Sequence, residues 1–328
     1  MKYTKNAYER AEAEINSRHE KSEEQRAQRL NEIKKTAPEI YRLHSNTLSS
    51  QFGMLADIIG NGSKEGARSA INEIKNRNLM AQQTIKELLD TFGYPTDYLQ
   101  YHYHCEKCRD TGFVEGRRCE CFEKLLSKYT TEELNEQCSI QLHDFSEFRI
   151  DFYPQEMGSI NPRERMSVVY NDCLDYANNF TPDADSLFFF GKTGLGKTFL
   201  SSCIAKKLLS EGVNVFFGSI LKLFRQIEDE RFRRREGDTT GIIINAELVI
   251  LDDLGSEFQT SFTDSVLYEI INERLNSGRP TIISTNLSMK ELDSKYNDRI
   301  VSRLTGFFSP IMFIGSDVRQ EKRKMGIS

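Results

Sequence analysis

The sequence predicts an α/β fold in which a parallel sheet carries a phosphate-binding site, preceded by a helical and cysteine-bearing N-terminal part. Residues 191–198 read Gly-Lys-Thr-Gly-Leu-Gly-Lys-Thr and directly follow the apolar run Leu187–Phe190. A second apolar run, 248–251, ends in two aspartates, and a third run follows at 281–285. Short apolar runs separated by helical patterns are typical of buried parallel strands.

The segment 191–198 fills every fixed position of the phosphate-loop pattern GxxxxGK[ST]. Its glycines allow backbone conformations that a Cβ would block, Lys197 supplies a positive charge, and Thr198 supplies a hydroxyl for Mg²⁺. A chance match in a glycine-rich turn is the alternative, but a strand before the motif and an amphipathic stretch after it favour the loop. We therefore predict ATP binding through Gly191, Lys192, Thr193, Gly194, Leu195, Gly196, Lys197, Thr198 and Phe199.

Length and composition set wide limits. The chain has 328 residues, 38% of them hydrophobic, which is enough for a buried core and about two domains. A formal net charge of -5 gives no overall attraction for nucleic acid, so DNA contacts would have to come from local basic clusters. The polar N-terminus lacks the apolar core of a signal peptide, and no apolar run reaches membrane-spanning length, so we expect a cytoplasmic protein without membrane contact.

Residues 1–97 are polar with helical periodicity and form the first predicted region. Helix breaks are expected near Pro38 and at residues 60–62. A long heptad coiled coil is not supported, so we expect a small helical bundle or hairpin. This region is either a spacer or a partner-binding module.

Four of the seven cysteines lie within residues 105–121, in a CxxC pair followed by a CxC pair. Thiolates at this spacing predict a structural zinc knuckle over residues 98–125 in a reducing compartment. The alternatives are four unrelated thiols, or a site in which His102 or His104 replaces one cysteine. The predicted ligands are Cys105, Cys108, Cys119 and Cys121; we interpret the isolated Cys138, Cys173 and Cys203 as buried thiols.

A connector is predicted over residues 126–160 and the nucleotide-binding domain over residues 161–328. Asp252 and Asp253 follow a buried strand at the edge where open α/β sheets bind ligands. Asp252 would hold Mg²⁺, directly or through water, and Asp253 would orient and deprotonate the attacking water. An acidic turn is the alternative interpretation.

Asn286 closes the third predicted strand. An amide at a central strand tip can hydrogen-bond both the terminal phosphate and the attacking water, and can thereby sense the phosphate. An Asn after a strand, taken alone, is usually a turn residue, but its place in this series favours the sensor.

Arg299 and Arg303 lie four residues apart on one face of a predicted helix. They are either a surface basic pair or arginine fingers that reach the nucleotide of a neighbouring subunit. A finger supplied in this way requires an oligomer.

The order of these motifs, phosphate loop, Asp-Asp-Leu-Gly, Ser-Thr-Asn and Arg-Ile-Val-Ser-Arg-Leu, resembles the AAA+ ATPases of the bacterial helicase-loader group, DnaC and DnaI, and their relative IstB. The resemblance covers residues 161–328, and the cysteine-rich segment resembles the zinc-bearing loaders. It implies a five-stranded AAA+ domain without a full lid, since only 22 residues follow Gly306.

The same resemblance implies roles for individual residues. Arg303 is the expected finger, with Arg299 close by, and Arg319 corresponds to a second sensor arginine. Phe232, Thr260 and Phe262 are implied as single-strand contacts. The implied partner is a hexameric, DnaB-like replicative helicase held by the N-terminal module, residues 1–125.

A local basic cluster supports DNA binding independently. Arginines and aromatic residues alternate in it, which suits phosphate contacts combined with base stacking. Neighbouring acidic residues, 228–230, dilute the charge, so a solvated helix is the alternative. The cluster comprises Lys222, Phe224, Arg225, Arg231, Phe232, Arg233, Arg234 and Arg235.

Together these features predict a Mg²⁺-dependent, DNA-stimulated ATPase that loads a replicative ring helicase onto single-stranded DNA and self-associates through its AAA+ domain. An IstB-like transposition helper acting on DNA is the nearest alternative. A small-molecule kinase and a zinc-bearing adaptor that binds ATP without turnover are the others.

Overall fold

The computed structural model describes residues 3–46, 64–138, 140–234, 236–324 and 326, without the side chains of 64–74, 137 and 138. Three features of the sequence prediction lie outside this description: the break at residues 60–62, Arg235 of the basic cluster, and the Cys138 side chain. The chain divides into two units, one made of Met1–Ala11 with Glu123–Ser328, the other of Glu12–Phe122. The domain boundaries drawn from the sequence stay predictions.

Both units contain helices and strands. The helices are α1 (Lys5–Thr36), α2 (38–46, to the end of that described range), α3 (Lys64–Thr91), α4 (Glu120–Cys138), α5 (Pro162–Asn178), α6 (Lys197–Ser210), α7 (Ile220–Arg231), α8 (Thr239–Asn245), α9 (Ser261–Asn276), α10 (Met289–Lys295), α11 (Asp298–Phe307) and α12 (Val318–Lys324). The strands are β1 (Phe113–Val114), β2 (Arg117–Arg118), β3 (Leu187–Phe190), β4 (Val215–Ser219), β5 (Leu248–Leu254), β6 (Thr281–Thr285) and β7 (Ser309–Met312).

Five strands form one sheet in the order β4-β5-β6-β3-β7, and each neighbouring pair is parallel. This confirms the predicted fold class. All five strands therefore end at one edge of the sheet, and β3 and β6 lie side by side near its centre. The phosphate loop after β3 and Asn286 after β6 are neighbours for this reason.

Alternating side chains along the strands face two cores, as the period of a β-strand requires. Phe188 and Phe216 belong to one core, which α7 and α9 cover; Phe189 and Phe217 belong to the other, which α5 and α6 cover. The result is a sheet between two helical layers. Because both faces are buried, the strands read as continuous apolar runs.

The smaller unit has its own apolar core. Ile33 and Ile40 pack with Ile85 and Leu89, so residues of α1, α2 and α3 share one cluster. α1 ends at Thr36 and α2 begins at Pro38, which confirms the predicted break; proline suits the first turn of a helix because it has no N–H to leave unpaired. Across the described ranges, none of the helices combines the length and apolar composition needed to cross a bilayer.

Candidate nucleotide-binding site

The phosphate loop turns sharply between β3 and α6. Gly191, Gly194 and Gly196 have φ values of 143°, 76° and 89°, a region that favours glycine. A Cβ on Gly191 would lie 2.4 Å from the carbonyl oxygen of Phe313. α6 begins at Lys197, so its unpaired N–H groups and positive dipole end stand where the loop closes, as an anion-binding site requires.

Two distant segments hold this loop in place. The buried Tyr153 hydroxyl donates to the Leu195 carbonyl oxygen at 2.8 Å, and the backbone N–H of Val318 donates to the Gly194 carbonyl oxygen at 2.9 Å. Burial raises the pKa of Tyr153, so the phenol keeps its proton for this bond. Sequence reasoning missed both contacts, since no local pattern marks them.

Lys197 is 5% exposed, and its ammonium donates to three oxygens. These are the carbonyls of Gly191 and Lys192, at 2.7 and 2.8 Å, and Oδ1 of Asn286, at 2.7 Å. Burial lowers its pKa to about 8, against the opposing pull of the nearby aspartates. A phosphate group entering here would meet a poorly solvated cation.

Asp252 and Thr198 meet directly. The Thr198 hydroxyl donates to Asp252 Oδ2 at 2.9 Å, and Ser284 donates to Asp252 Oδ1 at 2.6 Å. Burial raises the pKa of Asp252, while these two hydroxyl bonds act in the opposite direction. A hydroxyl and a carboxylate held together beside a phosphate loop fit the oxygen preference of Mg²⁺. Ser284 is a contributor that the sequence analysis did not single out.

Asp253 occupies an irregular position. Its φ is 63°, and the pairing of β5 with β6 shifts register between Leu251 and Leu254. This irregularity directs the Asp253 carboxylate to Asn286, whose Nδ2 donates to Asp253 Oδ1 at 2.5 Å. Asn286 therefore joins Lys197 to Asp253 through its two amide atoms.

These residues line one cavity of about 710 Å³. Arg319 also lies on its wall, with Lys322 beside it, and sequence reasoning missed Lys322 and His143. The His143 ring stacks on Phe199 at 4.5 Å between centroids. The lining includes the predicted Thr193, Gly194, Leu195, Gly196, Lys197, Thr198, Phe199, Asp252, Asp253, Asn286 and Arg319.

Arg299 and Arg303 are on α11 and do not belong to the described lining of this cavity. Arg303 donates to the Tyr268 hydroxyl and to Asn272 Oδ1, each at 2.8 Å, and its guanidinium lies 4.5 Å from the Tyr268 ring centroid. Arg299 is exposed. Within the subunit, then, neither arginine completes the nucleotide site.

The four predicted zinc ligands converge. Their sulfur atoms all lie within 4.8 Å of one another, with Cys105 and Cys119 at 3.8 Å and Cys108 and Cys121 at 3.5 Å. Zn–S bonds of about 2.3 Å in a tetrahedron place sulfur atoms about 3.8 Å apart, so the cluster is compatible with zinc. Neither histidine belongs to this group among the described residues; His102 instead contacts Asp97.

A short hairpin and one aspartate shape this cluster. β1 and β2 pair antiparallel, which brings the second cysteine pair back to the first. The buried Asp110 carboxylate accepts the backbone N–H groups of His104 and Cys105, each at 2.8 Å. The loop of the first cysteine pair is therefore fixed by hydrogen bonds from its backbone to the Asp110 carboxylate.

A basic-aromatic surface lies where α7 ends and α9 begins. We define it by Arg231, Phe232, Arg234, Phe258 and Phe262. Arg231 lies 5.2 Å from the Phe262 ring centroid, and Arg234 lies 5.5 Å from that of Phe232. Phe232 is 61% exposed and Phe258, which the sequence analysis missed, is 79% exposed.

Other members of the predicted DNA-binding set differ in position. Arg225 and Arg233 are exposed, and Thr260 caps the N-terminus of α9 through a bond from the Thr263 N–H. Phe224, in contrast, is buried in the core beneath α7 and cannot stack on a base. Of the two phenylalanines in that segment, only Phe232 faces solvent.

The ATP-binding part of the chain is similar to known proteins. Residues 174–305 match the family model described as IstB-like ATP binding protein. The replicative helicase loader DnaC of Escherichia coli K12 is 26% identical over 132 residues, 39% of this chain and 54% of that protein. The replicative helicase loader DnaI of Bacillus subtilis 168 is 24% identical over 167 residues, 46% of this chain and 54% of that protein.

A crystal structure of the DnaC helicase loader aligns with a TM-score of 0.45 and 21% identity, over 52% of this chain and 96% of that chain. This chain spans about half the length of the curated relatives it matches. The matches establish an IstB-like ATP-binding domain and a distant homology to the DnaC and DnaI loaders.

Proposed function

We propose that this chain, whose residues 174–305 form an IstB-like ATP-binding domain, loads a replicative ring helicase onto single-stranded DNA in an ATP-dependent manner. The observation that carries the proposal is the contact chain Lys197–Asn286–Asp253, which joins a phosphate loop to a candidate general base. Homology to the DnaC and DnaI loaders supports single-stranded DNA as the substrate and a replicative helicase as the partner.

ATP hydrolysis would use the groups already in place. Thr198 and Asp252 would hold Mg²⁺, which supplies charge neutralisation at the phosphates when bound. Lys197 would exchange its present partners, Asn286 Oδ1 among them, for phosphate oxygens, and this exchange would free Asn286 to contact the terminal phosphate and the attacking water. Asp253 would orient that water and take its proton.

A second subunit would complete the site. Arg303 donates to the uncharged side chains of Tyr268 and Asn272, and these bonds do not neutralise its positive charge. We propose that Arg303, with Arg299 close by, reaches the terminal phosphate of a neighbouring subunit, while Arg319 acts within its own subunit. Self-association through the ATP-binding domain would then determine when hydrolysis occurs.

Single-stranded DNA would bind at the basic-aromatic surface. Exposed aromatic rings stack on bases of any sequence, and arginines contact the phosphates. Phe232 and Phe258 provide the exposed rings, and Arg225 and Arg233 are exposed nearby in sequence. Phe262 and Thr260 would position the loop that precedes α9 or contact the single-stranded DNA.

The N-terminal module would hold the helicase. Its cysteine cluster is compatible with a zinc ion whose four positions are filled by protein, which makes the site structural. In this proposal the zinc fixes a rigid docking element for a DnaB-like hexamer. ATP binding favours assembly on DNA, and hydrolysis resets or releases the complex.

Affinity capture from host extract followed by mass spectrometry tests the proposal. We expect the wild-type chain to capture a replicative helicase in the presence of ATP, and the Cys108→Ser variant to lose it. Capture of a transposase would favour the transposition helper, an alternative that the IstB-like family model supports. If neither protein is captured and ATP is used to phosphorylate a metabolite, the loader and transposition-helper proposals are both wrong and the chain is a small-molecule kinase.

A further inference from the structure

The chain segment that leaves the nucleotide site after Asp253 is held by one of its own side chains and by side chains of residues 287–296. Gly255, the last residue of the Asp-Asp-Leu-Gly motif, has φ of 106°, and a Cβ there would lie 2.6 Å from Leu287. Its N–H donates to Glu257 Oε2 at 2.9 Å, and its carbonyl accepts from Lys295 Nζ at 2.5 Å. Both backbone polar groups of Gly255 are therefore bound by side chains.

Glu257 is the centre of the arrangement. It is 5% exposed, although it lies on a loop, and its other carboxylate oxygen accepts a hydrogen bond from the hydroxyl of the buried Tyr296. Lys295 Nζ stands 3.9 Å from the same oxygen and also donates to the Glu257 carbonyl at 3.2 Å. A buried carboxylate is costly unless it is paired, and the Gly255 N–H, the Tyr296 hydroxyl and Lys295 supply the partners that Glu257 needs. We call Glu257, Lys295 and Tyr296 the loop clamp.

The clamped segment connects the two proposed binding sites. Asp253, at its beginning, contacts Asn286 in the nucleotide cavity. Phe258 and Thr260, at its end, stand on the basic-aromatic surface and at the start of α9. Four residues, 254–257, separate Asp253 from Phe258, and the clamp residue Glu257 is one of them, so the clamp lies between the two ends of the segment.

The clamp also leads to the proposed finger helix. Tyr296 is followed immediately by Asn297, whose side chain caps α11 by accepting from the Ile300 N–H. Arg303 of α11 in turn contacts Asn272 on α9, the helix that follows the clamped segment. The clamped segment, α9 and α11 are thus connected. Arg303 and Asn272 join the two helices, and Tyr296 of the clamp directly precedes the residue that caps α11.

We propose that Glu257 is a positioning residue that couples the nucleotide site to the basic-aromatic surface and to α11. When the contact between Asp253 and Asn286 changes on nucleotide binding, the clamp moves Phe258 and α11 together with the loop. The coupling is reciprocal, so single-stranded DNA at Phe258 changes nucleotide affinity by the same factor. This inference rests on the proposed function for the identity of the surface's ligand.

Two variants break the clamp without emptying the core. Glu257→Gln offers one acceptor oxygen where two are used, so the Gly255 N–H or the Tyr296 hydroxyl loses its partner. Tyr296→Phe removes the hydroxyl and leaves the carboxylate. Glu269→Gln, at an exposed position on α9, is a matched control for loss of a glutamate charge.

The measurement is amide hydrogen exchange of the full-length chain, with and without a non-hydrolysable ATP analogue, read separately at residues 191–198 and 255–262. In the wild type and in Glu269→Gln we expect the analogue to change exchange in both segments. In Glu257→Gln and Tyr296→Phe the change at 191–198 should persist and the change at 255–262 should be lost. Where Glu257→Gln fails to fold, shown by loss of protection across the sheet, Tyr296→Phe carries the test.

An unchanged nucleotide response at 255–262 in the clamp variants overturns the inference. So does a wild type in which the analogue protects 191–198 but leaves 255–262 unaffected. Failure of the proposed function would look different, because a chain that captures no helicase and binds no single-stranded oligonucleotide can still show, or lack, the nucleotide response at 255–262.

Discussion

The buried position of Lys197 predicts that ATP affinity depends on pH. Its ammonium faces three oxygens and lies near Asp252 and Asp253, while Arg319 opposes its charge. Burial lowers its pKa to about 8 in the nucleotide-free protein. Phosphate oxygens at the same site would raise that pKa, because an anion favours the protonated lysine.

The sign and size follow from proton linkage. Because the bound state has the higher pKa, ATP binding takes up a proton, and affinity falls as pH rises through the free-state value. At about one pH unit above that value only about a tenth of the free sites carry the proton, so affinity should drop about tenfold between about pH 7 and about pH 9. Near the free-state pKa, binding should take up about half a proton.

Isothermal titration calorimetry with a non-hydrolysable analogue, in buffers of different ionisation enthalpy, measures both quantities. Lys197→Arg provides the comparison, since a guanidinium does not titrate in this range and its profile should be flatter. Lys290→Met, at an exposed site on α10, should keep the wild-type profile. A dissociation constant that does not change between about pH 7 and about pH 9, with no proton uptake, would contradict the expected titration of Lys197.

Three other substitutions test separate parts of the account. Asp253→Asn should retain ATP binding and lose about a hundredfold or more in turnover, measured by phosphate release, since the amide cannot accept a proton; undiminished turnover would remove Asp253 from this role. Elemental analysis should find about one zinc per chain, and Cys108→Ser should abolish it; a folded, metal-free wild type would disprove the zinc site. Phe258→Ala should weaken binding of a poly-dT oligonucleotide by about 1–3 kcal/mol, measured by fluorescence anisotropy, whereas Phe307→Ala, an exposed phenylalanine on α11, should not; equal effects would argue against stacking at Phe258.

The convergence of the predicted nucleotide-site residues on one cavity was largely predictable because they occupy the ends of adjacent parallel strands. A phosphate loop, two aspartates and Asn286 each follow an apolar run, and parallel strands place those ends at one edge. The convergence of the four cysteines was predictable for a related reason, since their spacing is typical of a zinc site. In both cases the signal lies in the order and spacing of residues that are close together in the sequence.

Other contacts have no local signal. Tyr153 lies 42 residues from the loop carbonyl that it bonds, and Glu257 meets Tyr296 across 39 residues. The exposure of Phe258 and the burial of Phe224 depend on which face of an element packs on the sheet, and composition alone does not determine that for a short mixed segment.

Reconstituted loading tests whether this chain is an ATP-switched helicase loader. A replicative helicase identified by affinity capture is incubated with single-stranded DNA circles, this chain and ATP, and the DNA-bound helicase is quantified after gel filtration. We expect the wild-type chain to raise the amount of helicase on DNA, and Lys197→Ala, which lacks the buried ammonium, to leave it unchanged. Equal loading by the two proteins, or none by the wild type, would contradict an ATP-switched helicase loader.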